Sequence, residues 1–177
     1  LEVGGDYYDF IDTAETGRRG LGVIMTDASG HGVSAAFITT MLTMIFQGKK
    51  SHAMAHDPSG LMNWLNDRLI GKIADNFATG IYCYFDMEAM AVSIAGCGHN
   101  PLLIIDRNEA TIQECAPSGR VLGLFENLEI KEERLPLRSG LRFLLYTDGL
   151  IEATDREGNA FLEKVMSISR ESVLLDK

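Results

Sequence analysis

The stretch Val23-Ile-Met-Thr-Asp27-Ala-Ser-Gly30-His-Gly32-Val-Ser-Ala-Ala-Phe-Ile-Thr-Thr-Met-Leu-Thr-Met-Ile-Phe46 decides how the chain is read. An apolar run with strand character stops at an aspartate, passes through small residues, and enters a long apolar segment by a Gly-His-Gly step. The segment from Val33 to Phe46 is interrupted by Ser34, Thr39, Thr40 and Thr43, so it reads as a buried helix and not as a membrane span. Asp27 then stands where a strand gives way to a turn. An aspartate in that place either caps the turn or presents its carboxylate to something else. The choice depends on where the other carboxylates fall.

Working outward, an aromatic-rich strand is predicted over Asp6 to Asp12, a turn over Ala14 to Gly20, and a strand over Leu21 to Thr26. The helix from about Gly32 to Gln47 is followed by a second that starts at Asp57-Pro58, with Asp as cap and Pro in the first helical position. Leu61, Trp64, Leu65 and Leu69 recur there at helical spacing. His52 and His56 fall in the connection between the two and read as solvated loop residues. Phe77 to Asp86 and Ala89 to Gly98 flank a short turn as a hairpin, and Pro101 to Arg107 and Ala110 to Cys115 form two further strands. After a loop from Ala116 to Gly123, strands are predicted in Leu128 to Leu137 and Gly140 to Gly149, and a short helix near Leu162 to Ile168. Strands, then two helices, then mostly strands favour antiparallel sheet with helices packed outside.

At 177 residues and 46% hydrophobic, the chain suits one compact domain. A net charge of −9 and a pI near 4.9 argue against nucleic acid or an anionic lipid surface as partner. Phosphorylated substrates stay open, because a bound divalent cation inverts the local sign. Cys83, Cys97 and Cys115 are odd in number and widely spaced, which suggests free thiols and a cytosolic setting, with neither a disulfide framework nor a zinc site.

Three acids fall at predicted strand ends beside small residues: Asp6 after Gly4-Gly5, Asp27 after the strand Leu21 to Thr26, and Asp148 after Leu141 to Thr147. Two carboxylates about 4 Å apart repel by roughly 4 kcal/mol at an effective dielectric near 20, so convergence would call for a cation. Oxygen ligands without a Cys/His set suit Mg²⁺ or Mn²⁺. Small neighbours would admit a backbone carbonyl as a further ligand. The residues alone leave this reading open beside the turn reading, which is the commoner one for such aspartates.

The five segments VGGDYYDF, TDASGHGVSAAF, NFATGIYCYFD, GCGHNPLLI and LLYTDGLIEATD, in this order and spacing, resemble bacterial serine/threonine phosphatases of the stage II sporulation protein E (SpoIIE/RsbU) type, a branch of the protein phosphatase 2C-like (PPM) family. The resemblance covers nearly the whole chain. It implies an α+β fold, a four-layer αββα sandwich of two antiparallel sheets flanked by helices, with two Mn²⁺ or Mg²⁺ ions at one end. By motif match Asp27 resembles the bridging ligand, the Ala28 carbonyl a backbone ligand, and Asp148 and Asp6 further carboxylates of the centre. These aspartates are the expected catalytic set. His31, in the Asp27 loop, is kept with His99, Asn100 and Glu152 as a candidate for the rim or for supporting the ligands.

The implied reaction is hydrolysis of phosphoserine or phosphothreonine in a signalling protein by a metal-bridging water or hydroxide. The implied setting is cytoplasmic and bacterial, with an upstream sensor or receiver domain in the manner of two-component regulation. The implied substrate is a phosphorylated protein such as an anti-anti-sigma factor, and a homodimer is compatible. No membrane insertion of this domain is expected. The family's closing Asp-Asp motif is missing from these residues, as is its first strand, so residues 1–177 read as a single phosphatase domain truncated at both ends. A catalytically silent phosphatase-like interaction module is the alternative.

Overall fold

The computed structural model describes residues 4–158, 160–162 and 165–167. The chain divides into two compact units, one of residues 1–99 and 117–137, the other of residues 100–116 and 138–177. Both carry antiparallel sheet, and with the helices they make an α+β fold.

The first unit holds a five-stranded sheet in the order β1-β2-β3-β4-β7, where β1 is Asp6–Asp12, β2 Gly20–Ala28, β3 Ala78–Asp86, β4 Ala91–Cys97 and β7 Glu133–Pro136. Strand β2 alternates strictly: Gly22, Ile24, Thr26 and Ala28 are buried, while Leu21, Val23, Met25 and Asp27 are half-buried. That alternation sends successive side chains to opposite faces. Two glycines on this strand are forced by their neighbours. A Cβ at Gly22 would lie 2.1 Å from the Tyr82 hydroxyl and 2.9 Å from its ring carbon Cζ, and one at Gly20 would lie 2.3 Å from the Tyr84 hydroxyl. Tyr82 is fully buried and donates its hydroxyl to the Ala55 carbonyl at 2.8 Å, which satisfies the one polar atom of its side chain.

Among the described residues the α-helices of this unit are α1 (Val33–Phe46), α2 (Lys49–Met54) and α3 (Pro58–Leu69). Helix α1 packs on β1 and β2, and α3 on β3 and β4. Ala35, Ile38, Leu42 and Phe46 of α1 are buried at spacings of three and four, and α3 buries Leu61, Met62, Leu65 and Leu69. Asp57 caps α3 as its sequence predicts, with its carboxylate accepting from the Gly60 amide at 2.9 Å and Pro58 following. Helix α2 is absent from the sequence reading, and it places His52 on a helix while His56 stays in an exposed turn. Its start depends on Ser51, whose buried hydroxyl faces the carbonyls of Ile45, Phe46 and Gly48. A serine inside a polar connection gives no periodic signal of that role. Tyr7 packs edge-on against Phe46, whereas Tyr8 and Phe10 touch each other on the opposite face and remain exposed.

The second unit centres on β5 (Leu102–Asp106), buried along its length between β6 (Thr111–Cys115) and β8 (Leu141–Leu144). Asp106 is buried at the strand end. Its carboxylate accepts from the amides of Asn108 and Glu109 at 2.9 and 3.2 Å and pairs with the Arg138 guanidinium. Strand β8 is shorter than predicted. It ends at Leu144, and a five-residue helix α4 (Asp148–Glu152) follows. Of the helix predicted near Leu162 to Ile168, Glu163, Lys164 and Ile168 lie outside the described residues, as do Asp176 and Lys177. No helix among the described residues is long and apolar enough to cross a membrane.

Candidate metal centre

The β1–β2 ladder sets Asp6 directly opposite Asp27. Residues so paired project to the same face with Cβ atoms about 4.5–5.5 Å apart, and like charges in that position destabilise a sheet. Both acids lie at the end of the ladder, Asp6 as the first residue of β1 and Asp27 as the penultimate residue of β2. The strand therefore runs two residues past its predicted end at Thr26, and Asp27 belongs to it. Asp27 is half-buried and Asp6 exposed.

Gly5 shapes the approach to this pair. Its carbonyl accepts from the Ala28 amide at 3.0 Å, and a Cβ placed on it would sit 2.6 Å from the Ala28 carbonyl oxygen and 3.1 Å from Asp27 Oδ1. Only glycine leaves both oxygens uncovered on that side. Two carboxylates and a backbone carbonyl form an all-oxygen donor set, the chemistry that hard divalent cations prefer, with water free to complete the shell. Among the described residues no group of three or more His, Cys, Asp or Glu side chains gathers at metal-binding distance. The local set fits a Mg²⁺ or Mn²⁺ ion and not a zinc-type cluster.

The loop that follows explains the Gly-His-Gly step. Ser29 ties the end of β2 to the start of β3 twice: its amide donates to the Phe77 carbonyl, and its Oγ accepts from the Phe77 amide, both at 2.8 Å. Gly30 and Gly32 adopt φ of +88° and +68°, and Gly32 combines this with ψ of −132°, a region open essentially to glycine. The chain reverses there into α1. His31 is exposed between the two glycines, and its carbonyl accepts from the Ser34 hydroxyl at 3.3 Å.

The ladder also brings in a residue absent from the sequence reading. Thr79 of β3 is the register partner of Asp27, and its Oγ1 lies 2.9 Å from Nδ1 of His99, a half-buried residue just past β4. The signal available was one threonine at the entry of an apolar strand, which carries meaning only once the register is known. Asn100 is half-buried and opens the second unit. Asp148 also lies in the second unit, exposed in the first turn of α4, and not at a strand end as predicted. Glu152 is exposed at the last position of that helix.

No cysteine offers an alternative nucleophile. All three are buried and outside any disulfide, and burial pushes the Cys97 thiol up to about 12, so it carries no thiolate at neutral pH.

The chain resembles several known proteins. Residues 17–173 match the family model described as Stage II sporulation protein E (SpoIIE). That span includes Asp27, Ala28 and Asp148 and leaves Asp6 outside. Phosphoserine phosphatase RsbP of Bacillus subtilis (strain 168) is 30% identical over 159 residues, which is 86% of this chain and 38% of that protein. Phosphoserine phosphatase RsbU of the same organism is 26% identical over 165 residues, 92% of this chain and 47% of that protein. The chain thus spans less than half the length of either relative. The solved SiaA-PP2C domain of Pseudomonas aeruginosa shares the fold with a TM-score of 0.76 at 19% identity, over 99% of this chain and 76% of that one.

Proposed function

The chain belongs to the stage II sporulation protein E family of protein phosphatase 2C-like (PPM) domains, and from that premise we propose that it hydrolyses phosphoserine or phosphothreonine in a signalling protein with the help of divalent metal ions. The observation that carries this reading is the register pair Asp6–Asp27 beside an Ala28 carbonyl kept open by Gly5. A pair of Mn²⁺ or Mg²⁺ ions, when bound, supplies hydroxide near neutral pH and stabilises charge on the phosphoryl oxygens. The residues contribute position and charge. Asp27, on a strand paired along both sides, presents its carboxylate from a fixed backbone, the Ala28 carbonyl adds a neutral oxygen, and Asp6 adds a second negative charge. By motif match alone, Asp148 is proposed as a further ligand and His31, Asn100 and Glu152 as supporting residues.

The names of the RsbP and RsbU relatives support phosphoserine as the substrate class. A phosphorylated anti-anti-sigma factor is the proposed substrate, and an upstream sensor or receiver domain the proposed control, within a bacterial cytoplasm. A homodimer is compatible with this. Residues 1–177 act, in this proposal, as a single phosphatase domain.

One observation favours a second reading, a phosphatase-like module that binds partners without turnover: among the described residues fewer than three ligand-type side chains come together at any point. Calorimetric titration with Mn²⁺ and turnover of a phosphoserine peptide, on wild type and on Asp27→Asn and Asp6→Asn, decide between the two. Binding that Asp27→Asn abolishes, with turnover reduced at least about 100-fold, is expected. A folded wild type without Asp27-dependent Mn²⁺ binding would establish the silent module.

A further inference from the structure

The end of the five-stranded sheet carries one polar rank. Asp6 faces Asp27, and Asp27 faces Thr79. The next rank on the same face is Tyr8, Met25, Ile81 and Gly96, and the one after it is Phe10, Val23, Cys83 and Ile94. Among these three ranks the carboxylates are confined to the first; the next carboxylate on this face, Asp12, stands at the opposite end of β1. Thr79 stands in that first rank next to Asp27, within the roughly 4.5–5.5 Å Cβ separation of directly opposed residues.

His99 reaches the same row from the end of β4. Gly98 turns the chain with φ of +67° and bridges to Gly80, and a Cβ on Gly98 would lie 2.7 Å from Val121 Cγ1, so the backbone carrying His99 is closely held. The Thr79 Oγ1 to His99 Nδ1 distance of 2.9 Å then admits two arrangements. A hydroxyl has one proton to give, and an ionised carboxylate only accepts. With its proton spent on Nδ1, the Thr79 hydroxyl would turn an oxygen lone pair toward Asp27. With the proton on Nδ1 instead, His99 donates to Thr79, and the Thr79 proton is left for Asp27.

We infer that Thr79 is a positioning residue for Asp27: His99, as the Nδ1–H tautomer, donates to Thr79 Oγ1, and the Thr79 hydroxyl donates to the Asp27 carboxylate and fixes the orientation in which it meets a cation. This rests on the metal reading above. Partners that orient metal ligands in this way are commonly worth 10–100-fold in affinity.

The test combines two readouts on the protein. The ring nitrogens of His99 are observed by ¹⁵N NMR without metal, and Mn²⁺ affinity is measured by calorimetry, for wild type, Thr79→Val, Thr79→Ser, His99→Ala and His99→Asn. The expected result is an Nδ1–H tautomer in wild type and Thr79→Ser that moves toward Nε2–H in Thr79→Val. Mn²⁺ affinity should fall about 10–100-fold in Thr79→Val and His99→Ala. It should be retained in Thr79→Ser and in His99→Asn, whose amide replaces the Nδ1–H donor. A wild-type Nε2–H tautomer, or Thr79→Val and His99→Ala proteins that bind Mn²⁺ as tightly as wild type, would overturn the inference alone. A wild type that binds no Mn²⁺ overturns the metal reading and this inference together, and the two failures are distinguished because the tautomer is read without metal.

Discussion

At the scale of single residues, Gly5 and Cys97 make the sharpest claims. Gly5→Ala puts a methyl group 2.6 Å from the Ala28 carbonyl oxygen while leaving every carboxylate in place. We expect Mn²⁺ affinity to drop about 10–100-fold and the melting temperature to fall with it, because the crowded neighbour is a backbone oxygen that must shift to admit the methyl group. Calorimetry beside a thermal melt checks both halves. Cys97 has its thiol raised from 9 to about 12 by burial. Its protonated form in the folded state contributes stability that is complete below about pH 9 and is lost progressively as pH rises toward 12, because the unfolded chain gives up the proton first. Tyr7 and Tyr82, raised from 10 by burial, act in the same direction only at higher pH. Urea unfolding at pH 8 and pH 10 should show wild type weakening, and Cys97→Ala weakening less. Both glycine and thiol are visible in the sequence, but their consequences are not. Gly4-Gly5-Asp6 reads as a turn before a strand until the register shows what Gly5 lies against.

Elements show which parts of the chain announce themselves. Strand β1 is legible residue for residue, because it is rich in aromatics, follows Gly4-Gly5 and is followed by a turn from Ala14 to Gly20. Helix α3 is legible from the Asp-Pro start and its apolar spacing. Helix α2 is hidden, since six residues held by one serine have neither cap nor period. Strand β8 reads too long because Leu145, Tyr146 and Thr147 continue its apolar and β-forming character, whereas the ladder to β5 pairs only Leu141 to Leu144. The α3 cap yields a prediction at this scale. Asp57→Ala removes the carboxylate that accepts from the Gly60 amide and should cost about 1 kcal/mol, read as a lower urea midpoint at unchanged slope. Mn²⁺ affinity should not change, because the substitution leaves the Asp6–Asp27 row untouched.

For the molecule as a whole, composition set the class and motif order set the family, while the candidate site needed the strand register. Asp6 and Asp27 are 21 positions apart in sequence and opposite in the sheet. Thr79, farther still, joins them only through β3. A hard cation held by this row should stabilise the folded chain by mass action, about 2.7 kcal/mol when its concentration reaches 100 times the dissociation constant. The melting temperature should therefore climb with Mn²⁺ in wild type and stay flat in Asp27→Asn. The glycines of β2 bear on a longer timescale. With tyrosine at 82, an alanine at 22 meets both the hydroxyl and the ring, so that step is closed. Once a smaller residue such as leucine stands at 82, the vacated space admits the alanine. The two positions can drift only in that order, and among descendants of this sequence the loss of Gly22 should be found only in lineages that gave up the tyrosine first.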